Sequence, residues 1–179
     1  AGAKRGGTVM GPDGVKSLVR EIIEGLKKMG VKPIDFPDVP KETAKEEEVA
    51  QETSFDAEEL TVVWQAVNVE HGCHYCVPAH TGIAKSMKVR DDLIEELRND
   101  DSLSDAKLNT LKETVLAVTR NRGNIDSAQL DAFYSAGYKH QQLLGIILIL
   151  AQKVMSNYTN HIAETPVDEP FKKFEWSPK

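Results

Sequence analysis

The sequence predicts an all-α fold. Apolar residues recur at helical spacing, and no convincing stretch alternates polar and apolar residues as a half-buried strand would. Several of these segments begin after a capping residue and stop at a glycine, as at Gly123 and Gly137. A chain of 179 residues is long enough for one ordinary domain with a hydrophobic core. We therefore expect a bundle of helices without a sheet.

Two parts of the chain differ in composition. In residues 1–53 we expect one amphipathic helix that begins after Asp13 and ends at Gly30, then a proline-rich connection, then an acidic segment over 41–53 that is a weak helix or a solvated linker. Residues 54–179 carry the remaining helical patterns and should form the main helical domain.

The main domain should open with a capped, buried helix. Asp56 is the predicted N-cap, Glu59 completes a capping box, and the helix runs to about His71 and is apolar nearly all round. Gly72 should break it, and Pro78 fits the first turn of the next helix. Further helices are predicted at about 90–98, 104–122, 127–136 and 140–163.

The C-terminal tail is rich in aromatic residues. Pro166 should end the last helix, and Phe171, Phe174 and Trp176 follow it. Such a tail is expected to dock on the body of the protein or on a neighbouring subunit.

Charge and hydropathy exclude several classes of function. The net charge of -6 and the absence of a long basic run argue against a nucleic-acid partner. The longest strongly apolar run, Leu143 to Ala151, is far shorter than the roughly 18 residues of a membrane span. No secretory signal is visible, so we expect a cytoplasmic protein without a membrane partner.

One short segment carries the chemistry. Cys73 and Cys76 are the only cysteines, and His80 follows Cys76 by four residues, on the same helical face. A Cys-x-x-Cys pair can close into a disulfide, and a histidine at that spacing can exchange a proton with the second thiol. Because Cys76 should lie near the N-terminus of a helix, the helix dipole favours its thiolate. The segment predicts thiol redox chemistry.

The segment Gly72-Cys73-His74-Tyr75-Cys76-Val77-Pro78-Ala79-His80, preceded by a buried helix, resembles the alkylhydroperoxidase D-like (AhpD-like) branch of the carboxymuconolactone decarboxylase family. The tail Ser156-Asn157-Tyr158-Thr159-Asn160-His161-Ile162-Ala163 is also similar, and the likeness covers about residues 54–176. It implies an AhpD-like helical bundle that forms homo-oligomers and reduces hydroperoxides. The family also includes a decarboxylase that does not use a cysteine pair, so the pair argues against that activity here.

The resemblance also implies a role for each residue of the site. Cys76 would attack the hydroperoxide, Cys73 would resolve the sulfenic acid into a disulfide, and His80 would relay protons. The family's relay glutamate usually lies twelve residues before the first cysteine, where this chain has Thr61. Glu70, which adjoins the motif, is the better substitute. The partners implied are a hydroperoxide substrate and a dithiol or disulfide reductant, with no cofactor.

The alternative is a non-catalytic helical oligomer whose cysteine pair binds a metal or senses oxidation. Cys73, Cys76 and His80 with His71 or His74 could supply four zinc ligands. Structural zinc sites, however, usually draw ligand pairs from two separate segments of the chain, and only one is present here. We therefore expect no bound metal.

Overall fold

The computed structural model describes residues 53–178, and these residues contain six α-helices and no strand. The helices are α1 (Ala57–Glu70), α2 (Cys76–Ser86), α3 (Asp91–Arg98), α4 (Ala106–Arg120), α5 (Ser127–Ser135) and α6 (His140–Ala163), and a 3₁₀ helix spans Glu169–Phe174. The all-α prediction is confirmed for this part of the chain. The helix predicted between Asp13 and Gly30, and all but the last residue of the acidic segment 41–53, lie outside the described residues.

The start of α1 is fixed by the capping box that the sequence predicted. The carboxylate of Asp56 accepts the backbone N–H of Glu59 at 2.9 Å, and the carboxylate of Glu59 accepts the backbone N–H of Asp56 at 3.2 Å. Glu59 is also paired with Lys107 of α4, whose Nζ lies 2.7 Å from Oε1. The N-terminus of α1 is thus tied to a second helix.

The start of α2 differs slightly from the prediction. Cys76 is already the first residue of this helix, and Pro78 is the third. The backbone of Tyr75, which precedes the helix, is already in the α-region, so the helix starts before the proline. As a result Cys76 lies within the first turn rather than before it.

Helix α1 lies at the centre of the bundle and packs against α2, α3, α4 and α6. Every residue from Glu59 to Asn68 is buried, which agrees with the nearly continuous apolar character of its sequence. Burying one such large apolar side chain stabilises the fold by roughly 1.5–3 kcal/mol. The central position of α1 places its C-terminal end, and the cysteine motif that follows, against the interior of the protein.

The C-terminal tail docks on the body of the same chain, which was one of the two predicted alternatives. Phe171 and Phe174 pack over Gly82 of α2, where an added Cβ would lie 2.7 Å from the Phe171 ring. The indole N–H of Trp176 donates to the carbonyl of Arg98 at 2.8 Å. Gly82 therefore allows the close approach between α2 and the tail.

The surface of α6 is unusual because its exposed face is strongly apolar. Six large side chains are substantially exposed: Leu144, Ile147, Leu148, Met155, Tyr158 and Ile162. None of the helices within residues 53–178 combines the length and the apolar character that crossing a membrane requires.

Candidate active site

The geometry of the helix end at Gly72 positions the first cysteine. Gly72 has φ of +63°, which is easy for glycine and strained for other residues. Its N–H donates to the carbonyl of Val69 at 2.9 Å, and the N–H of Cys73 donates to the carbonyl of Asn68 at 3.0 Å. These two bonds form a Schellman motif, which turns the chain sharply at the end of α1. Cys73 is held by this motif, three residues before α2 begins.

Cys73 and Cys76 form a disulfide, with their Cα atoms 5.2 Å apart. Cys73 is fully buried and Cys76 is 4% exposed. The structure is therefore that of the oxidised dithiol, and its sulfur atoms are shielded from solvent.

Each sulfur atom has its own hydrogen-bond donor. The backbone N–H of Cys76, at the N-terminus of α2, donates to Sγ of Cys73 at 3.2 Å. The side-chain amide of Asn160, from α6, donates to Sγ of Cys76 at 3.4 Å. In the oxidised form the N-terminus of α2 thus donates a hydrogen bond to the first cysteine, while the second cysteine accepts one from a side chain of α6.

His80 lies one turn after Cys76 on α2 and is buried, with 4% exposed. Its ring packs against Trp64 of α1, with ring centroids 4.9 Å apart. On the other side its Nε2 is hydrogen-bonded to Nζ of Lys153. The imidazole is therefore held between α1 and α6 on the face that carries Cys76.

Lys153 is fully buried in the middle of α6. Its Nζ contacts His80 and lies 5.6 Å from the centre of the Trp64 ring. Lysine is almost never fully buried unless it is paired, and an aromatic face attracts a cation at this distance. Sequence reasoning did not select Lys153, although it is the one lysine, arginine or acidic residue within α6.

Polar side chains of α1 form a buried network with α2. The amide nitrogen of Gln65 donates to the carbonyl of Val77 at 3.1 Å and to the hydroxyl of Thr81 at 3.2 Å. Asn68 in turn donates to Oε1 of Gln65 at 3.2 Å. The bonds of this network fix α2, and with it the two site residues Cys76 and His80, against α1.

His71, the last position before Gly72, faces α6. The amide nitrogen of Asn157, which is fully buried, donates to Nδ1 of His71 at 3.1 Å. Burial lowers the pKa of His71, since the charged imidazole loses hydration; the neighbouring Glu70 opposes this shift and His161 adds to it. The net lowering of the pKa favours a neutral His71, whose Nδ1 accepts the bond from Asn157.

Glu70, the predicted substitute for the relay glutamate, is engaged elsewhere. Its carboxylate forms an ion pair with Arg120 of α4, at 2.7 Å. The structure thus places Cys73, Cys76 and His80 together and shows Lys153, rather than Glu70, at Nε2 of His80. Thr61, at the family's glutamate position, donates to the carbonyl of Ala57 at 2.8 Å within its own helix.

The two residues between the cysteines are both held by the C-terminal segment. The ring of His74 is hydrogen-bonded to the carbonyl of Thr165 at 3.1 Å. The hydroxyl of Tyr75 donates to Asp168 at 2.7 Å. A cleft of about 410 Å³ lies beside His74 and is lined also by Val167, Glu175, Trp176 and Ser177.

No metal-binding arrangement is found among residues 53–178: no three histidine, cysteine or acidic side chains there are grouped so as to hold an ion.

Known proteins were compared with this chain by sequence and by fold. No protein-family model matches the sequence, and no curated protein does. Two similar crystal structures are an uncharacterized peroxidase-related protein from Silicibacter sp. TM1040 and an alkylhydroperoxidase AhpD core, also an uncharacterized peroxidase-related protein, from Ralstonia eutropha JMP134.

The two similarities have different extents. The Silicibacter protein is 19% identical with a TM-score of 0.59, over 67% of this chain and 64% of its own. The Ralstonia protein is 18% identical with a TM-score of 0.58, over 89% of this chain and 88% of its own. Identities this low relate folds, not activities. The resemblance inferred from the cysteine motif is confirmed at that level: this chain has the fold of the AhpD-core proteins.

Proposed function

We propose that this protein is a dithiol hydroperoxide reductase that acts through Cys73 and Cys76. The observation that carries the proposal is the buried disulfide at the start of α2, with His80 one turn further along, on an AhpD-core fold. The peroxidase-related description of the two similar structures supports the same class of reaction.

The reaction would proceed in two steps. The Cys76 thiolate attacks one oxygen of the hydroperoxide; the O–O bond breaks, and Cys76 becomes a sulfenic acid. The alkoxide that leaves takes a proton from His80 and departs as an alcohol. Cys73 then loses its proton and attacks Sγ of Cys76; the S–O bond breaks, and the hydroxide leaves with that proton as water. An external dithiol returns two electrons and two protons to the disulfide.

The roles proposed for the two cysteines are those that the resemblance implies. The contacts of the oxidised form indicate which group would stabilise each thiolate. Asn160 would stabilise a Cys76 thiolate, whereas the N–H at the start of α2 would stabilise a Cys73 thiolate. The proximity of His80 to Cys76 favours the assignment of Cys76 as the attacking residue. The proposed role of Glu70 requires that its ion pair with Arg120 open during the reaction.

Single-cysteine variants test this assignment. With one equivalent of peroxide, reduced Cys73→Ser should react once and stop at a sulfenic acid or over-oxidise, and Cys76→Ser should barely react. His80→Ala should form the same disulfide about 10²–10⁴-fold more slowly. Mass spectrometry of each product decides the outcome. Fast reaction of Cys76→Ser together with an inert Cys73→Ser would reverse the two roles, and unreactive wild type would refute the function.

Self-association is part of the same proposal. The exposed apolar side chains of α6 form an area that solvent-exposed helices rarely carry. A second copy of the chain would cover it in a homo-oligomer, as the resemblance also implies.

A further inference from the structure

The contact between Lys153 and His80 restricts the charge that this pair can carry. A protonated lysine has no acceptor, and a doubly protonated imidazole has none either. As long as Nζ and Nε2 stay hydrogen-bonded, the two groups cannot both be charged. The pair holds one positive charge when a single extra proton is present, and none when that proton has left.

We propose that Lys153 is the second member of the proton relay and acts through His80. This inference rests on the proposed peroxidase function. Lys153 is a positioning residue: it holds the imidazole toward Cys76 and keeps one transferable proton in the pair. Thr61, at the position where the resemblance expects a glutamate, uses its hydroxyl within α1.

The proton balance of such a relay closes over one cycle. In the reduced protein the Cys76 thiol passes its proton to the uncharged pair, which yields a thiolate beside a pair with one positive charge. When the thiolate attacks a hydroperoxide, the pair gives that proton to the leaving alkoxide and becomes uncharged again. Resolution by Cys73 releases water and needs no proton from the pair.

A lysine relay differs from a glutamate relay in the charge next to the nucleophile. A glutamate–histidine pair is neutral when it is loaded, whereas the Lys153–His80 pair carries a full positive charge. A cation near a thiol favours the thiolate, so Lys153 should lower the pH at which Cys76 becomes reactive. Other ionisable groups on the elements that adjoin the pair are Cys76 on α2, His71 at the end of α1, and Arg98 of α3, which donates to Thr81 of α2.

The fold provides a matched control in Lys112 of α4, a second buried lysine with 3% exposed. Its Nζ lies 2.8 Å from Asp100 and 2.8 Å from the carbonyl of Asp101, away from the cysteine motif. Lys153→Met and Lys112→Met both remove a buried amine at nearly constant volume. A purely structural effect should appear in both variants, but an effect on the thiol only in the first.

The first experiment does not depend on peroxidase activity. The full chain with Cys73→Ser is reduced, and its rate of alkylation by iodoacetamide is measured from pH 5 to 9, alone and combined with Lys153→Met or Lys112→Met. We expect Lys153→Met to shift the profile to higher pH and Lys112→Met to leave it in place. An unshifted profile in the folded Lys153→Met protein, checked by circular dichroism, would overturn the inference.

The second experiment tests the delivery of the proton. With tert-butyl hydroperoxide, whose leaving alkoxide needs a proton, Lys153→Met should slow disulfide formation about 10²-fold. With peracetic acid, whose leaving acetate does not, the loss should be much smaller. In a His80→Ala background Lys153→Met should have little further effect, because it acts through His80. The relay is contradicted if Lys153→Met slows the reaction equally with both oxidants, or if the losses from Lys153→Met and His80→Ala are additive. If the wild type reduces neither oxidant, the proposed function fails, and the alkylation profile then decides whether Lys153 acts on Cys76.

Discussion

The two faces of α6 are not sorted by hydropathy, because its buried face carries polar side chains beside Ile146 and Ile149. The buried face carries Lys153 and Asn157, both fully buried, while Leu144 is 66% and Ile162 87% exposed on the outer face. Buried polar groups are usually hydrogen-bonded, and here Lys153 is bonded to His80 of α2 and Asn157 to His71 at the end of α1. We infer two tasks for one helix: the inner face would serve the dithiol, and the outer face would meet a second copy of the chain, as proposed above.

The largest expected effect comes from charging the outer face. Leu148 is 46% and Met155 51% exposed. If a second copy covers them, Leu148→Glu with Met155→Glu should dissociate the oligomer completely, because two unpaired charges would have to be buried at the interface. Sedimentation equilibrium should then give the mass of one chain, 19.8 kDa.

The control for this double variant is Leu148→Gln with Met155→Gln, which adds polarity without charge and should weaken association less. The rate of disulfide formation should stay near that of wild type in both, because the inner face is untouched. A wild-type protein that sediments as one chain would contradict the proposal that a second copy covers the outer face.

A smaller effect is expected from the inner face, at Asn157. Asn157→Ala removes a fully buried amide and its bond to His71, which should destabilise the fold by about 1–3 kcal/mol. The neighbouring Ser156 is a matched control, since its hydroxyl makes only long contacts of 3.4 Å. Ser156→Ala should change stability by less than about 0.5 kcal/mol. Urea denaturation measures the free energy of unfolding of both variants. Equal losses would contradict the expected contribution of the buried bond between Asn157 and His71.

The pH dependence of stability should reflect His71. Because burial lowers its pKa in the folded protein, the unfolded chain binds this proton first as the pH falls below the ordinary value of about 6.5. The contribution of His71 should therefore be fully present above that pH and be lost progressively on acidification. Urea midpoints at pH 8, 6.5 and 5 should fall less steeply for His71→Gln than for wild type. Parallel curves for the two proteins would contradict a difference in the pKa of His71 between the folded and unfolded states.

The smallest effect is expected at Asn160, whose amide donates to Sγ of Cys76 at 3.4 Å. Asn160→Ala should slow alkylation of Cys76 only several-fold, since a contact as long as 3.4 Å should be worth no more than a typical hydrogen bond, roughly 1 kcal/mol. The measurement uses the Cys73→Ser background, and Thr159→Ala is the neighbouring control. An unchanged alkylation rate would mean that the contact is a property of the disulfide form alone.

Local signals in the sequence determined the elements of this fold. Asp56 and Glu59 predicted the start of α1, and Gly72 its end, because caps and left-handed glycines act within a few residues. The spacing of Cys73, Cys76 and His80 likewise predicted a dithiol beside a histidine, since a helix brings residues four apart onto one face.

Only the tertiary structure decided which distant groups complete the site. Lys153 lies 73 residues after His80 and Asn160 lies 84 after Cys76, and nothing local links them. Glu70 is next to the motif in sequence, yet its carboxylate is paired with Arg120 across the bundle. An amphipathic pattern indicates that two faces of a helix differ, but the packing of the whole bundle determines which face is buried. In α6, Lys153 and Asn157 are buried beside apolar residues because His80 of α2 and His71 at the end of α1 provide their hydrogen-bond partners.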